Sequence, residues 1–374
     1  MKTGITIDQL KEKIKDQKEN SRDFIIPPNL MEYSYSRGVD RLILPLKNSE
    51  IDTGILPIAR EQLVDYIGVP RNFFNSIYGA GEAISTEDSG TLRRVPLAET
   101  MVNALLAAKE DKRMVRTIYG DSRAILSDRY KCLDNFDILS FILPLLGEIP
   151  DVRFESTQLT ESKMYIRAVT PRLEADVAVG DTVQAGLIIS NSEIGRGSLS
   201  VSPMLYRLSC LNGAVFNTLG SRARHVGVQF ADIHGEDSYE ISSNETMMTA
   251  MRLTLLKIRD FVRNGLETVF NELVGQARDA TERKIEGDVV GAVEVTADLF
   301  GLTVDEKSSV LHNLITDHDL SAWGLTNAIT KTAQQVESYD RYNLLEETGP
   351  KVFQLSGEQW RAISRAKTPK IGRN

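Results

Sequence analysis

"DTVQAGLIISNSEIGRGSLSVSPMLYRLSCLNG", residues 181–213, decides the fold. Between 182 and 190 the chain alternates, and Val183, Ala185, Leu187 and Ile189 fall on one face of an extended strand. After Pro203 the alternation resumes, with Met204, Tyr206, Leu208 and Cys210 on one face and Arg207 on the other. Asn191 to Gly197 reads as the connecting tip of a hairpin, with Arg196 as its one functional contact, and Asn212-Gly213 reads as turn chemistry.

Working outward, further strands are expected at 153–159, 163–170, 198–201 and 204–211, and a hairpin at 114–127 turning at Gly120-Asp121. An apolar helix capped by Asp134 or Asn135 precedes the strands and should bend or end at Pro144. This describes a predominantly antiparallel sheet with at least one helix packed on it. Before it, Thr6 and Gln9 form a capping box for a helix through about Asn20, and helical spacing recurs around Leu63, Phe74 and the stretch after Pro96. After it, an apolar stripe from Met247 to Ala277 implies one helix of roughly forty residues, or about 60 Å. Helices are expected at 289–300, from a Thr303/Glu306 cap, and at 321–347. The fold class is therefore α+β. Its parts are a mixed, mostly helical unit over 1–110, a β-rich core over 111–242, a helical region over 243–348 and a basic, mobile tail over 349–374.

Composition bounds the function only loosely. The 374-residue chain carries a formal charge of −8, lacks an apolar run long enough to cross a bilayer, and starts without the apolar core of a secretion signal. Two cysteines far apart, Cys132 and Cys210, argue against structural zinc and for a reducing compartment. The charges are segregated. Residues 194–231 contain Arg196, Arg207, Arg222 and Arg224 and no acid, and from Lys351 onward six basic residues face one acid, Glu358.

Four chemistries compete with plain structural roles. Cys210 could serve as a nucleophile with His225 or His234 as base, but its strand face points to core. Asp232, His234, Glu236 and Asp237, or His312, Asp317, His318 and Asp319, could ligate a metal; an acidic loop before a helix explains the first set equally well. Gly195-Arg196-Gly197 is not a phosphate loop, since no Gly-Lys-Ser/Thr follows. No metal or cofactor is therefore expected. Arg113, Arg116, Arg123, Arg129 and Lys131, interleaved with Tyr119 and Tyr130, could join Arg167, Arg207, Arg222 and Arg224 in one positive sheet face able to track phosphates and stack bases, with Arg196 reaching the backbone from the hairpin tip. The structural alternative makes Arg129 and Asp128 internal ion-pair partners and Tyr130 core, and Arg207 too leans to a structural role.

The segments "VRTIYGDSRAILSDRYKCLDNFDIL" and "ISNSEIGRGSLSVSPMLYRLSCLNG" resemble the phage/plasmid-like domain family of unknown function, whose members show "RA-LSDRY---DN", "NSE-G-G" and "YRL-C-NG". The resemblance spans about residues 55 to 275. It implies a protein of a phage, prophage or mobile plasmid acting in a bacterial cytoplasm, and it carries over no catalytic residue. A looser analogy of element order links hairpins before a long helix to ring-forming single-strand annealing proteins. The leading expectation is a non-enzymatic protein that binds single-stranded DNA as a homo-oligomer, through Arg113, Arg116, Arg123, Lys131, Arg196, Arg222 and Arg224. The alternatives are an interaction protein that diverts a host factor and a metal-dependent enzyme acting on nucleic acid.

Overall fold

In the computed structural model, residues 4–36, 39–78, 82–86, 92–130, 133–216, 221–223 and 244–367 are described. Helix α1 (Ile7–Asn20) starts at the expected box, in which Thr6 Oγ1 accepts from the Gln9 amide and Gln9 Oε1 accepts from the Thr6 amide. Strand β1 (Ser21–Ile26) follows, then an antiparallel meander of β2 (Glu32–Ser36), β3 (Val39–Leu46) and β4 (Ser49–Gly54). Helices α2 (Pro57–Tyr66) and α3 (Arg71–Ile77), the hairpin β5 (Glu82–Thr86) and β6 (Leu92–Pro96), and α4 (Leu97–Ala107) complete this part. Up to Ala107 the described residues thus carry six strands beside four helices, a mixed unit with more strands than its sequence suggests. Helix α4 covers the open edge of β2: the Asn103 side chain accepts from the Tyr33 amide and donates to its carbonyl, both at 2.8 Å, and Glu99 accepts from the Tyr35 amide.

Strands β7 (Arg113–Ile118) and β8 (Asp121–Ser127) form the expected hairpin, and β1 returns to pair with β7. The turn sits one residue earlier than its Gly-Asp signature suggests. Tyr119 and Gly120 take φ of 51° and 90°, the double left-handed pair of a two-residue hairpin turn. Helix α5 (Asn135–Gly147) accommodates Pro144 and runs one further turn.

The main sheet is built from β9 (Arg153–Leu159), β10 (Met164–Ala178), β11 (Asp181–Asn191), β12 (Leu199–Arg207) and β13 (Asn212–Val215), in the order β13-β12-β11-β10-β9 and antiparallel throughout. A short strand β14 (Ser221–Ala223) pairs with β12 beyond β13. The expected long helix is present as α6 (Asn244–Asp260), a π-helical turn at Phe261–Gly265 and α7 (Leu266–Glu282). Five helices follow: α8 (Val289–Phe300), α9 (Val304–Thr316), α10 (Ala322–Thr332), α11 (Tyr339–Thr348) and α12 (Gly357–Ser364). The Thr303/Glu306 capping box opens α9 as expected, whereas 321–347 is two helices broken at 333–338. The architecture is α+β.

Helices cover both faces of the sheet, so β11 is buried along most of its length and its alternation does not sort core from solvent. Val183 and Ala185 pack in one cluster with Phe270, Ala277 and the C-terminal helices. Leu187 and Ile189 pack in another with α1, α5 and Val262. A third core, from Ile26 to Ile125, belongs to the N-terminal strands and helices. The stretch from 349, expected as a mobile tail, packs into the fold: Val352, Trp360 and Ile363 are buried in the first cluster. Its apolar spacing, not its net charge, decided the outcome. Among the described residues no helix is long and apolar enough to cross a membrane.

Candidate functional site

The expected basic residues lead to the place where β7–β8, the N-terminus of α5 and the β11–β12 connection meet. Each strand brings one arginine. In the β7–β8 register Arg116 opposes Ala124 and Thr117 opposes Ser122, which leaves Arg123 as the extra residue of a bulge. Arg116 and Arg123 both reach Glu193. Arg116 Nη1 donates to the Glu193 carbonyl at 2.9 Å, and Arg123 Nη2 donates to its carboxylate at 3.1 Å.

The other Glu193 carboxylate oxygen accepts from the Asn135 amide at 2.5 Å, at the start of α5, where the helix dipole favours an anion. Arg116 also donates to Asp23 at 2.8 Å and to Asp134 at 3.1 Å, and Lys18 closes the cluster on Asp134. Burial works against ionisation of Asp134, but the hydrogen bond from Lys18 and the Arg116 guanidinium outweigh it and hold the carboxyl below its ordinary range. Three cations, Lys18, Arg116 and Arg123, thus meet three anions, Asp23, Asp134 and Glu193.

The connection itself is buried rather than a free tip. Asn191 Nδ2 donates to the Leu133 carbonyl and to Asn135 Oδ1, and Tyr130 Oη donates to the Ser192 carbonyl and accepts from the Gly195 amide. Gly195 takes φ of 75° with its α-carbon against Leu126, so a side chain there meets both strain and a 2.8 Å contact. From α2, the Gln62 amide group donates to the Ile194 carbonyl at 2.7 Å and accepts from the Ile125 amide at 2.9 Å. Two polar atoms at this junction, Arg123 Nη1 and Asn191 Oδ1, are buried without a protein partner.

The arrangement corrects the expected positive face. Arg116 and Arg123 are buried and neutralised, and Arg196 pairs with Glu61. Arg113 lies 3.9 Å over the Tyr66 ring and pairs with Asp111. Arg167 is fully buried on the opposite side of the sheet core, paired with the fully buried Glu346 and stacked 4.6 Å over Tyr342. Arg207 pairs with Asp181, which also accepts from Trp323 Nε1 at 2.6 Å. Arg116, Arg123 and Arg167 lie inward because each pairs there with an acid remote in sequence, Asp23, Glu193 and Glu346 respectively. Of the remaining candidates, Arg222 lies on β14 opposite Ser200, while Lys131 and Arg224 lie outside the described residues.

Cys210 is not a strand residue. It sits in the turn between β12 and β13, half-buried, with its Sγ 3.4 Å from Arg207 Nη1, so the two are neighbours rather than on opposite faces. The turn is closed by Leu211 at φ of 52°, and Asn212, expected in the turn, is buried in β13 and donates to Thr330. The acidic loop at 232–237 lies outside the described residues. Among those described, no group of three or more His, Cys, Asp or Glu is placed to hold a metal ion, His312 and Asp317–Asp319 included.

Sequence reasoning missed acids that pair with the arginines here: Asp23 in the junction and Glu61 beside Arg196 are far away in the chain and carry no local signal, and Glu193 stood inside a quoted motif as part of a hairpin tip.

No curated protein and no solved structure matches the chain significantly. Residues 124–368 match the family described as Domain of unknown function (DUF932). That span takes in the α5 junction, the whole main sheet and helices α6 to α12, and the protein belongs to the DUF932 family.

Proposed function

We propose that this DUF932 protein binds single-stranded DNA without chemistry of its own, as a homo-oligomer serving a mobile element in a bacterial cytoplasm, and that the DNA meets it along the β12–β14 edge. One observation carries the reading. The acid-free stretch 194–231 has four arginines, and the structure accounts for Arg196 and Arg207 with Glu61 and Asp181. Arg222 lies on β14, which pairs residues 221–223 with Leu199–Val201 of β12, and Arg224 follows it in the sequence. Two arginines two positions apart in an acid-free segment suit a phosphate backbone, which needs positive charge and no base-specific geometry. The element order, a helix and an antiparallel meander followed by a long helix laid across it, agrees with the analogy to annealing proteins.

A fluorescence-anisotropy titration of the full chain with short single strands tests the proposal. Binding that weakens steeply with added salt is expected. An absent or salt-insensitive signal at low ionic strength would sink it.

A further inference from the structure

Three interruptions of regular structure meet at one place on the sheet. Helix α5 ends there, followed by Asp151 in the left-handed region at φ of 54°. Strand β10 loses register, its pairing to β11 jumping from Thr170 to Glu174. The long helix makes its π turn at Phe261–Gly265. Regular ridges and pleats fill the space between helix and sheet, and each interruption removes a part of that filling. What remains is a cleft of about 320 Å³, at the small end of ligand pockets. Strained residues, bulges and π turns gather where a protein shapes a binding surface.

The floor is apolar, formed by Ile149, Pro150, Leu173, Val262 and Leu266. The rim is charged, but unequally so. Arg263 is held by a two-pronged ion pair to Glu148, at 2.6 and 2.7 Å, and Arg172 is paired with Asp151. Both guanidiniums are thereby neutralised. Glu267 also lines the cleft, is exposed, and makes no ion pair or hydrogen bond among the described residues.

We propose that this cleft binds a small monocationic amphiphile, an ammonium group carried on an apolar body, with the ammonium on Glu267 and the body on the apolar floor. A neutral ligand gains nothing from the hydrated Glu267 carboxylate, and an anionic one must face its negative charge while displacing Glu148 or Asp151 from the arginines. The site is separate from the β12–β14 edge and does not rest on the DNA reading.

The test is a chemical-shift titration of the isotope-labelled full chain with hexylammonium, and with hexanoate and hexanol as controls. Hexylammonium should cause saturable shifts at 170–173 and 262–267 and bind more tightly than either control. Because the carboxylate is exposed, Glu267→Gln should weaken hexylammonium about two- to five-fold. Glu267→Lys should abolish the preference over hexanoate. The spectra themselves verify that both surface variants remain folded. Equal binding of hexanoate or hexanol, an unchanged affinity in Glu267→Gln, or shifts confined to other regions would overturn the proposal.

Discussion

At the scale of single residues, the junction around Glu193 shows how a strand-borne arginine becomes structural. Asp134 is the member whose loss is easiest to read. Its folded-state pKa lies below the ordinary carboxylate value of 3.8, so it stabilises the fold above that pH, and the contribution disappears as pH falls through the lowered value. Asp134→Asn should cost about 3 kcal/mol at neutral pH, since it leaves the buried Arg116 short of a partner. It should also flatten the loss of stability below about pH 4, measured by urea unfolding across a pH series. An acid limb identical to that of the wild type would show that Asp134 is not a linked group. The Arg167–Glu346 pair offers a sharper contrast because both side chains are fully buried. Glu346→Gln should cost about 3–5 kcal/mol, as a buried guanidinium loses its counter-charge. The double variant Arg167→Met/Glu346→Leu should recover most of this. The residue left over is about 1–3 kcal/mol for the Gly213 amide, which loses Glu346 as its acceptor.

At the scale of elements, most helices and strands were legible, and the exceptions have physical causes. Capping boxes at Thr6 and Thr303 marked helix starts to the residue because the signal is local chemistry. The long stripe from Met247 to Ala277 gave its helix but not the π turn within it, which adds a residue's offset without disturbing the apolar repeat. The strands of the first hundred residues were obscured because edge pairing, as between β2 and α4, depends on partners remote in sequence. Helix α12 reads as tail because the stretch from Lys351 onward is basic as a whole, while within the helix Trp360 and Ile363 carry the packing. Trp360→Ala should therefore destabilise the whole fold by about 3 kcal/mol, through lost burial and the Arg283 guanidinium 4.7 Å above its ring. A truly mobile tail would show no change in thermal melting. Gly120→Ala, in open space at φ of 90°, should cost about 1–2 kcal/mol through backbone strain alone.

At the scale of the whole molecule, charge segregation along the chain proved a poor guide to charge on the surface. Acids from the first hundred residues (Asp23, Glu61), from the start of β11 and just beyond its end (Asp181, Glu193) and from α11 (Glu346) meet Arg116, Arg196, Arg207, Arg123 and Arg167 respectively. Periodicity reports which face a residue takes, not which distant partner waits there. Arg116, Arg123 and Arg167 thus tie their strands to neighbouring segments, Arg207 ties β12 to β11, and the proposed DNA contact contracts to Arg222 and Arg224. The most direct measurement compares single-strand binding by the wild type, by Arg222→Glu/Arg224→Glu and by Arg196→Ala at several salt concentrations. The account predicts that the charge reversal lowers affinity and flattens the salt dependence, each lost phosphate contact removing about 0.7 from the logarithmic slope. It also predicts that Arg196→Ala leaves that slope as it is. Binding by the double variant equal to that of the wild type, or a slope that falls with Arg196→Ala instead, would contradict it.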